Sequence, residues 1–238
     1  MEPLSLVIPT FNEAETIGAV IREIPFPYRA DIIVADGGST DATRAIALAA
    51  GARVLDAGRG YGRACAMGAA AVSPESRVIA FMDGDGADRG DLIGRIARPV
   101  LEGTADFVLA SRTRGQRDPG SMLWHQVLAG RAAGFGMGAL YGVRYSDMCA
   151  FRAISREALA SLGLREMTYG WNIEMQMQAA RAGLRILEIP LPYRCRVAGT
   201  SKVAGSLRGS IRAATRIIAT CARVALSPAP AREVSRAG

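Results

Sequence analysis

The sequence predicts an α/β protein built on a doubly wound, mostly parallel sheet. Two observations carry that prediction. The first 110 residues alternate short β-branched or apolar runs with helical segments, and strands separated by helices pair in parallel through right-handed crossovers. Two of those runs end directly in acid, at Asp36 and at Asp83 with Asp85. In an open α/β sheet the carboxyl ends of the strands are where ligands bind. Half of the 238 residues are hydrophobic, enough for a sizeable core.

Taken in order, run 4–8 is the first strand. Asn12, with Glu15 three residues on, has capping-box spacing ahead of Ile17, Val20, Ile21 and Ile24 at helical intervals. Run 31–35 is the second strand, closed by Asp36. Ser39 or Thr40 then caps a helix that runs through Ile46 and Leu48 to Gly51. After a third strand at 53–55, Gly58, Gly60, Gly62 and Gly68 form a glycine-rich loop opening a helix. A dinucleotide fingerprint would place such a loop after the first strand. Here it reads as a close backbone approach to a bound ligand, or as a plain tight turn. Runs 78–82 and 106–110 are the fourth and fifth strands. Beyond Arg112 the pattern changes to an Arg- and Gly-rich loop, a helix from 122 to about 141, a short run at 147–153, a helix at 170–182 and a strand at 184–189. The expected organisation is one domain over 1–206, a C-terminal helix over 207–226 and a frayed tail at 227–238.

Composition narrows the function. Twenty-nine Lys and Arg against 22 Asp and Glu leave a formal charge of +7, which favours an anionic partner such as nucleotide phosphates or a phospholipid surface. No basic-aromatic platform points to nucleic acid. Cys65, Cys149, Cys195 and Cys221 show no CxxC spacing and, with a single histidine, make no zinc site. They read as free thiols in a reducing compartment. The opening run lacks the basic flank of a signal peptide, and no apolar run approaches the roughly 20 residues of a spanning helix. A cytoplasmic protein, peripheral on the inner face of a membrane, is expected.

The strongest local signal is Phe81-Met82-Asp83-Gly84-Asp85. Two carboxylates at i and i+2 leaving a buried strand can meet a hard cation, Mg²⁺ or Mn²⁺, and the diphosphate that it bridges. The competing reading is a solvated Asp-Gly turn. Two further strand-to-helix segments accompany it, Val7-Ile8-Pro9-Thr10-Phe11-Asn12-Glu13 and Asp36-Gly37-Gly38-Ser39-Thr40-Asp41. Together the three resemble the family 2 glycosyltransferases of the GT-A fold, with its Rossmann-like nucleotide-binding half. There the corresponding segments read approximately V-x-P-x-x-N-E, D-D-G-S-x-D and D-x-D. The resemblance extends over roughly residues 4 to 205, through Ala110-Ser111-Arg112, Asp147-Met148-Cys149-Ala150-Phe151-Arg152 and Tyr193-Arg194 to Gly199-Thr200-Ser201-Lys202. These later motifs look most like the dolichyl- or polyprenyl-phosphate mannose or glucose synthase type.

That resemblance implies an inverting transfer from a UDP- or GDP-sugar to a polyprenyl phosphate with Mg²⁺ or Mn²⁺. It implies that Pro9, Phe11, Glu13 and Asp36 line the nucleoside pocket, with Gly60 and Lys202 also on the nucleotide sugar. Asp83 and Asp85 would face ribose, diphosphate and metal. Arg112, Arg194, Arg196, Ser201 and Lys202 would hold phosphates of donor or acceptor, suited by the bidentate match of guanidinium to phosphate; a basic surface serving solubility is the alternative. The sequence departs from the pattern at Gly37, Ala87, Ala110 and Ala150. Gly37 replaces the second Asp of D-D-G, and Ala87 stands where the synthases often carry another polar residue beside the metal.

The acceptor decides whether a base is needed. A phosphate monoester, with a second pKa near 6, is largely ionised at neutral pH. A hydroxyl acceptor needs a carboxylate base, for which Asp147 and Glu174 are the candidates; each is equally read as a loop-fixing or helix-face charge. His125 is read as reaching an acceptor phosphate or as structural. In the C-terminal helix Leu207, Ile211, Ala214, Ile218, Cys221 and Ala225 recur at spacings of four and three beside Arg208, Arg212 and Arg216. This basic amphipathic helix suits an anionic lipid surface, or docks on the protein's own core or on a second copy of the chain. Trp124, Leu128, Phe135 and Leu140 mark a second interfacial helix. A nucleotidyltransferase would want a Gly- and Lys/Arg-rich loop where residues 9–13 stand.

Overall fold

The computed structural model describes residues 2–29, 31–197 and 207–227. Its strands are β1 (Leu4–Thr10), β2 (Asp31–Asp36), β3 (Arg53–Asp56), β4 (Val78–Phe81), β5 (Phe107–Ser111), β6 (Arg152–Ser155) and β7 (Ile186–Pro190). They form one sheet in the order β3-β2-β1-β4-β6-β5-β7. The helices are α1 (Ile17–Glu23), α2 (Thr43–Ala49), α3 (Tyr61–Ala70), α4 (Ile93–Leu101), α5 (Trp124–Tyr141), α6 (Arg156–Ser161), α7 (Trp171–Arg181) and α8 (Leu207–Leu226).

β1, β2 and β4 are buried along their whole length because helices cover both faces, so these strands read as continuous apolar runs. Leu4, Leu6 and Ile8 pack with Val20 and Ile21 of α1 and Ile93 and Ile96 of α4. Val7, Ile33 and Phe81 face the opposite layer, with Cys65 of α3, Met137 of α5, Ile173 of α7 and Val224 of α8. β6 runs antiparallel to both β4 and β5, with Phe81 opposite Arg152. The chain leaves β5 at its carboxyl end and returns through α5 to the same edge. The segment preceding β6 therefore lies beside the carboxyl end of β4, and the expected element at 147–153 is loop as far as Phe151.

Two expected helix caps do not form. Asn12 has φ 53°, a conformation asparagine tolerates better than most residues. Its Oδ1 accepts the Thr40 N–H at 2.9 Å, and its own N–H donates to Ser39 Oγ at 2.8 Å. The side chain ties two loops together, and α1 begins at Ile17. Ser39 and Thr40 likewise precede α2, whose start is held by Asp41 Oδ1 accepting the Thr43 N–H at 3.0 Å.

α8 packs on α7 with a face the sequence pattern did not mark. Ala213, Thr220 and Val224 are buried, while Ile218 of the anticipated stripe is 67% exposed. Ion pairs set this rotation: Arg216 meets Glu166 at 3.2 Å and Arg223 meets Glu174 at 2.9 Å. Val224→Asp places a charge in that seam and is expected to lower stability by about 3 kcal/mol in thermal melts, whereas Ile218→Asp changes it by about 0.5 kcal/mol or less.

Candidate active site

Loops from β1, β2, β4 and β5 converge at the carboxyl edge. Asp36 is fully buried. Its Oδ2 accepts the N–H groups of Gly38 at 3.0 Å and Ser39 at 2.9 Å, and Arg44 donates to it at 2.6 Å. The Ser39 hydroxyl donates to Oδ1 at 2.5 Å. Burial alone would raise the Asp36 pKa, but these hydrogen bonds outweigh it and hold the carboxylate below its ordinary range. Held by its own loop and Arg44, this carboxylate lies in the wall of the expected nucleoside pocket. Gly37 donates to the Thr10 carbonyl at 2.7 Å, and a Cβ on it would lie 3.1 Å from that oxygen. Pro9 lies within β1 opposite Ala35. Phe11 follows on the loop, with the Arg59 guanidinium 4.1 Å above its ring.

The Asp-Gly-Asp turn leaves β4 beside these loops. The Thr16 hydroxyl donates to the Gly84 carbonyl at 2.7 Å. Asp83 accepts from the Tyr61 hydroxyl at 3.2 Å, and Asn172 Nδ2 lies 3.5 Å from the same hydroxyl. Asp85 Oδ1 accepts the Ala87 N–H at 2.9 Å, and Oδ2 meets Arg196 at 2.7 Å. The sequence reading missed Asp88, whose Oδ2 accepts the Asp83 N–H at 3.3 Å; an acid three residues past Asp85 was its only signal. It also missed Tyr61 and Asn172, which no local pattern relates to Asp83.

Burial, then the mutual repulsion of the three carboxylates, pushes Asp83 up to about 6 and Asp88 up to about 8. Between about pH 4 and about pH 8 the folded chain keeps protons that the unfolded chain has released, so stability falls as pH rises. Thermal melts in chelator are expected to show that fall, with a flatter slope in Asp88→Asn. Among the described residues no three His, Cys, Asp or Glu side chains converge as a metal cage. Two carboxylates with crowded negative charge suit a cation that keeps waters and shares a diphosphate, as Mg²⁺ and Mn²⁺ do. Asp83 and Asp85 fit such an ion.

Residues 193–197 cross this turn as a strap. The N–H groups of Arg194 and Val197 donate to the carbonyls of Ala87 at 3.1 Å and Asp85 at 3.3 Å. Arg194 Nη2 donates to Glu23 at 2.8 Å and to the Asp88 carbonyl at 2.9 Å, while its buried Nε has no hydrogen-bond partner. Arg196 also approaches Glu13, at 3.6 Å. Arg112 lies 5.1 Å from the Tyr193 ring centre and grips Asp147 through Nε and Nη2, both at 2.7 Å.

The other candidate residues differ in burial and in the partners that hold them. Asp147 is buried and also accepts the N–H groups of Arg112 at 3.0 Å and Met148 at 2.7 Å. Burial would raise its pKa, but the Arg112 contacts hold it below the ordinary range, the opposite of what a base needs. Glu174 is fully buried, accepting the N–H groups of Arg165 at 3.0 Å and Glu166 at 2.6 Å as well as Arg223. Both are clamps. His125 is exposed and stacks edge-on against Trp124. A Cβ at Gly60 would sit 2.6 Å from the Met167 carbonyl oxygen, so this glycine accommodates the protein's own backbone. Ser201 and Lys202 lie outside the described residues.

Residues 5–163 match the Glycosyl transferase family 2 profile. An uncharacterised glycosyltransferase of Mycobacterium tuberculosis is 36% identical, covering 88% of this chain and 94% of its own. A dolichyl-phosphate hexose transferase of Haloferax volcanii is 32% identical, covering 85% and 87%. The crystal structure of glucosyl-3-phosphoglycerate synthase from Mycobacterium tuberculosis, in complex with Mn²⁺, UDP and phosphoglyceric acid, superposes with a TM-score of 0.73 at 26% identity, covering 94% of this chain and 79% of that one.

Proposed function

From the premise that this chain belongs to the glycosyl transferase family 2, and is a glycosyltransferase of the GT-A fold, we propose that it moves a sugar from a UDP- or GDP-sugar to the phosphate of a membrane polyprenyl phosphate, with inversion. The observation that carries the acceptor is the commitment of both candidate bases: Asp147 is clamped by Arg112 and Glu174 by Arg223. An ionised phosphate requires no base, only positioning. Arg112 retains Nη1 outside its clasp on Asp147 and Arg194 retains Nε, and these donors suit phosphate oxygens.

In the reaction a phosphate oxygen bonds to the anomeric carbon as the bond to the leaving nucleoside diphosphate breaks on the opposite face. Asp83 and Asp85 would hold a divalent cation, which would neutralise charge on that leaving diphosphate. Tyr61 holds the Asp83 carboxylate, itself steadied by Asn172, whose carbonyl accepts from the buried Arg152 at 3.1 Å. Phe11 offers a flat surface beside the nucleoside wall.

No helix among the described residues is long and apolar enough to cross a membrane. A peripheral contact is supported by α5, whose outer face exposes Trp124 at 77% and Phe135 at 80% and whose 18 residues include no acid. Its inner face lies behind the Arg112 clamp, with Gly134 against the Tyr145 carbonyl and Gly130 near Asp147. A lipid phosphate held by Arg112 would therefore have an apolar helix beside it.

The superposition with the glucosyl-3-phosphoglycerate synthase favours a second reading, a soluble phosphorylated acceptor glycosylated on a hydroxyl. Transfer of labelled sugar from UDP- and GDP-sugars, with Mg²⁺ or Mn²⁺, into polyprenyl phosphate or phosphoglycerate separates the two. Labelling of the lipid alone is expected; labelling of phosphoglycerate alone overturns the lipid acceptor.

A further inference from the structure

The geometry points to Arg196 as an internal counter-ion that holds the metal side of Asp85 in the free protein and is exchanged for the divalent cation as the donor binds. This inference rests on the proposed donor chemistry. Asp85 has one oxygen committed to its own turn, since Oδ1 accepts the Ala87 N–H. Oδ2 is the oxygen left for a cation, and Arg196 Nη2 stands 2.7 Å from it. A guanidinium and a divalent ion on one oxygen repel each other, so they compete.

The strap can release the side chain without itself leaving. Its backbone is tied independently, by Arg194 and Val197 to the turn, by the Tyr193 N–H to the Gln116 carbonyl at 2.9 Å and by the Cys195 N–H to Asp118 Oδ2 at 3.1 Å. Arg194 is a poor candidate for the same exchange, because it is fastened to Glu23 and to the Asp88 carbonyl. Arg196 has only the carboxylates of Asp85 and Glu13 as ion-pair partners among the described residues. Once displaced, its planar fork is beside the diphosphate and free to take phosphate oxygens bidentately. Arg196 is thus a positioning residue. It keeps the empty turn from opening under its own charge and joins the donor's phosphates only after the cation has arrived.

Competition of this kind is reciprocal, and titration of the full chain with Mn²⁺ alone tests it. Arg196→Gln is expected to bind Mn²⁺ about fivefold more tightly than the wild type, as removal of a part-exposed ion pair implies. Arg196→Lys keeps the charge and is expected to stay close to the wild type, which controls for disturbance of the strap. In transfer assays Arg196→Gln is expected to raise the KM for the nucleotide sugar. Unchanged or weaker Mn²⁺ binding by Arg196→Gln, or no Mn²⁺ binding by either protein, overturns the exchange. The Mn²⁺ titration contains no acceptor. Tightened Mn²⁺ without lipid labelling therefore supports the exchange while removing the lipid acceptor.

Discussion

Asp85→Ala is expected to lower kcat/KM for sugar transfer by about 10²–10³-fold, the scale of losing a principal electrostatic contact to the leaving group. The substitution removes the oxygen that faces a cation and the acceptor that shapes the turn through Ala87. It also leaves Arg196 with only Glu13 for an ion pair among the described residues. Asp85→Asn separates these effects. The amide oxygen can still accept the Ala87 N–H, so the turn survives while the charge is lost. Both variants are expected to lose Mn²⁺ binding, and only Asp85→Ala to alter the turn as read by hydrogen exchange at Gly86 and Ala87. Wild-type transfer rates in Asp85→Asn would remove the Asp85 charge from the catalytic account.

The second large effect concerns Arg112 and Asp147. Arg112→Ala strands a buried carboxylate that otherwise accepts two guanidinium hydrogen bonds. Breaking one side of such a pair is destabilising by about 3–5 kcal/mol, a fall of roughly 10 °C in Tm for a chain of this size. Transfer is expected to fall with it, because the proposed phosphate donor is gone. Asp147→Asn decides between clamp and base. As a clamp, it lowers Tm and leaves measurable transfer with an unshifted pH profile. As a base, the same variant would keep Tm and lose transfer, since an amide cannot take the proton. The clamp outcome follows from the depressed pKa and the four donors around the carboxylate.

What was legible in the sequence was local. The Asp-Gly-Asp turn lies at the end of a buried strand because apolar side chains alternate to both faces of β4 and the chain must then exit to polar groups. β1 and β2 are legible for the same reason. The caps misled where a side chain had a better partner across space. Asn12 and Ser39 bond to one another's loops rather than to the helices that follow, and the acceptor with the stronger tertiary geometry wins over local capping. The α8 stripe divides, with Cys221 against the core and Ile218 exposed, and the ion pairs of Arg216 and Arg223 hold the helix in that rotation.

By itself, then, the sequence determined the fold class, the run of strand-to-loop exits and the placing of two carboxylates at i and i+2, because these depend on periodicity and on neighbours along the chain. Only the tertiary structure decided which charges meet. Asp147 finds Arg112 across 35 residues, Glu174 finds Arg223 across 49, and Asp85 finds Arg196 on a strap laid down after the last strand. A carboxylate's chemistry is set by burial and by the donors around it, and no spacing rule encodes which distant donor the folded chain will bring.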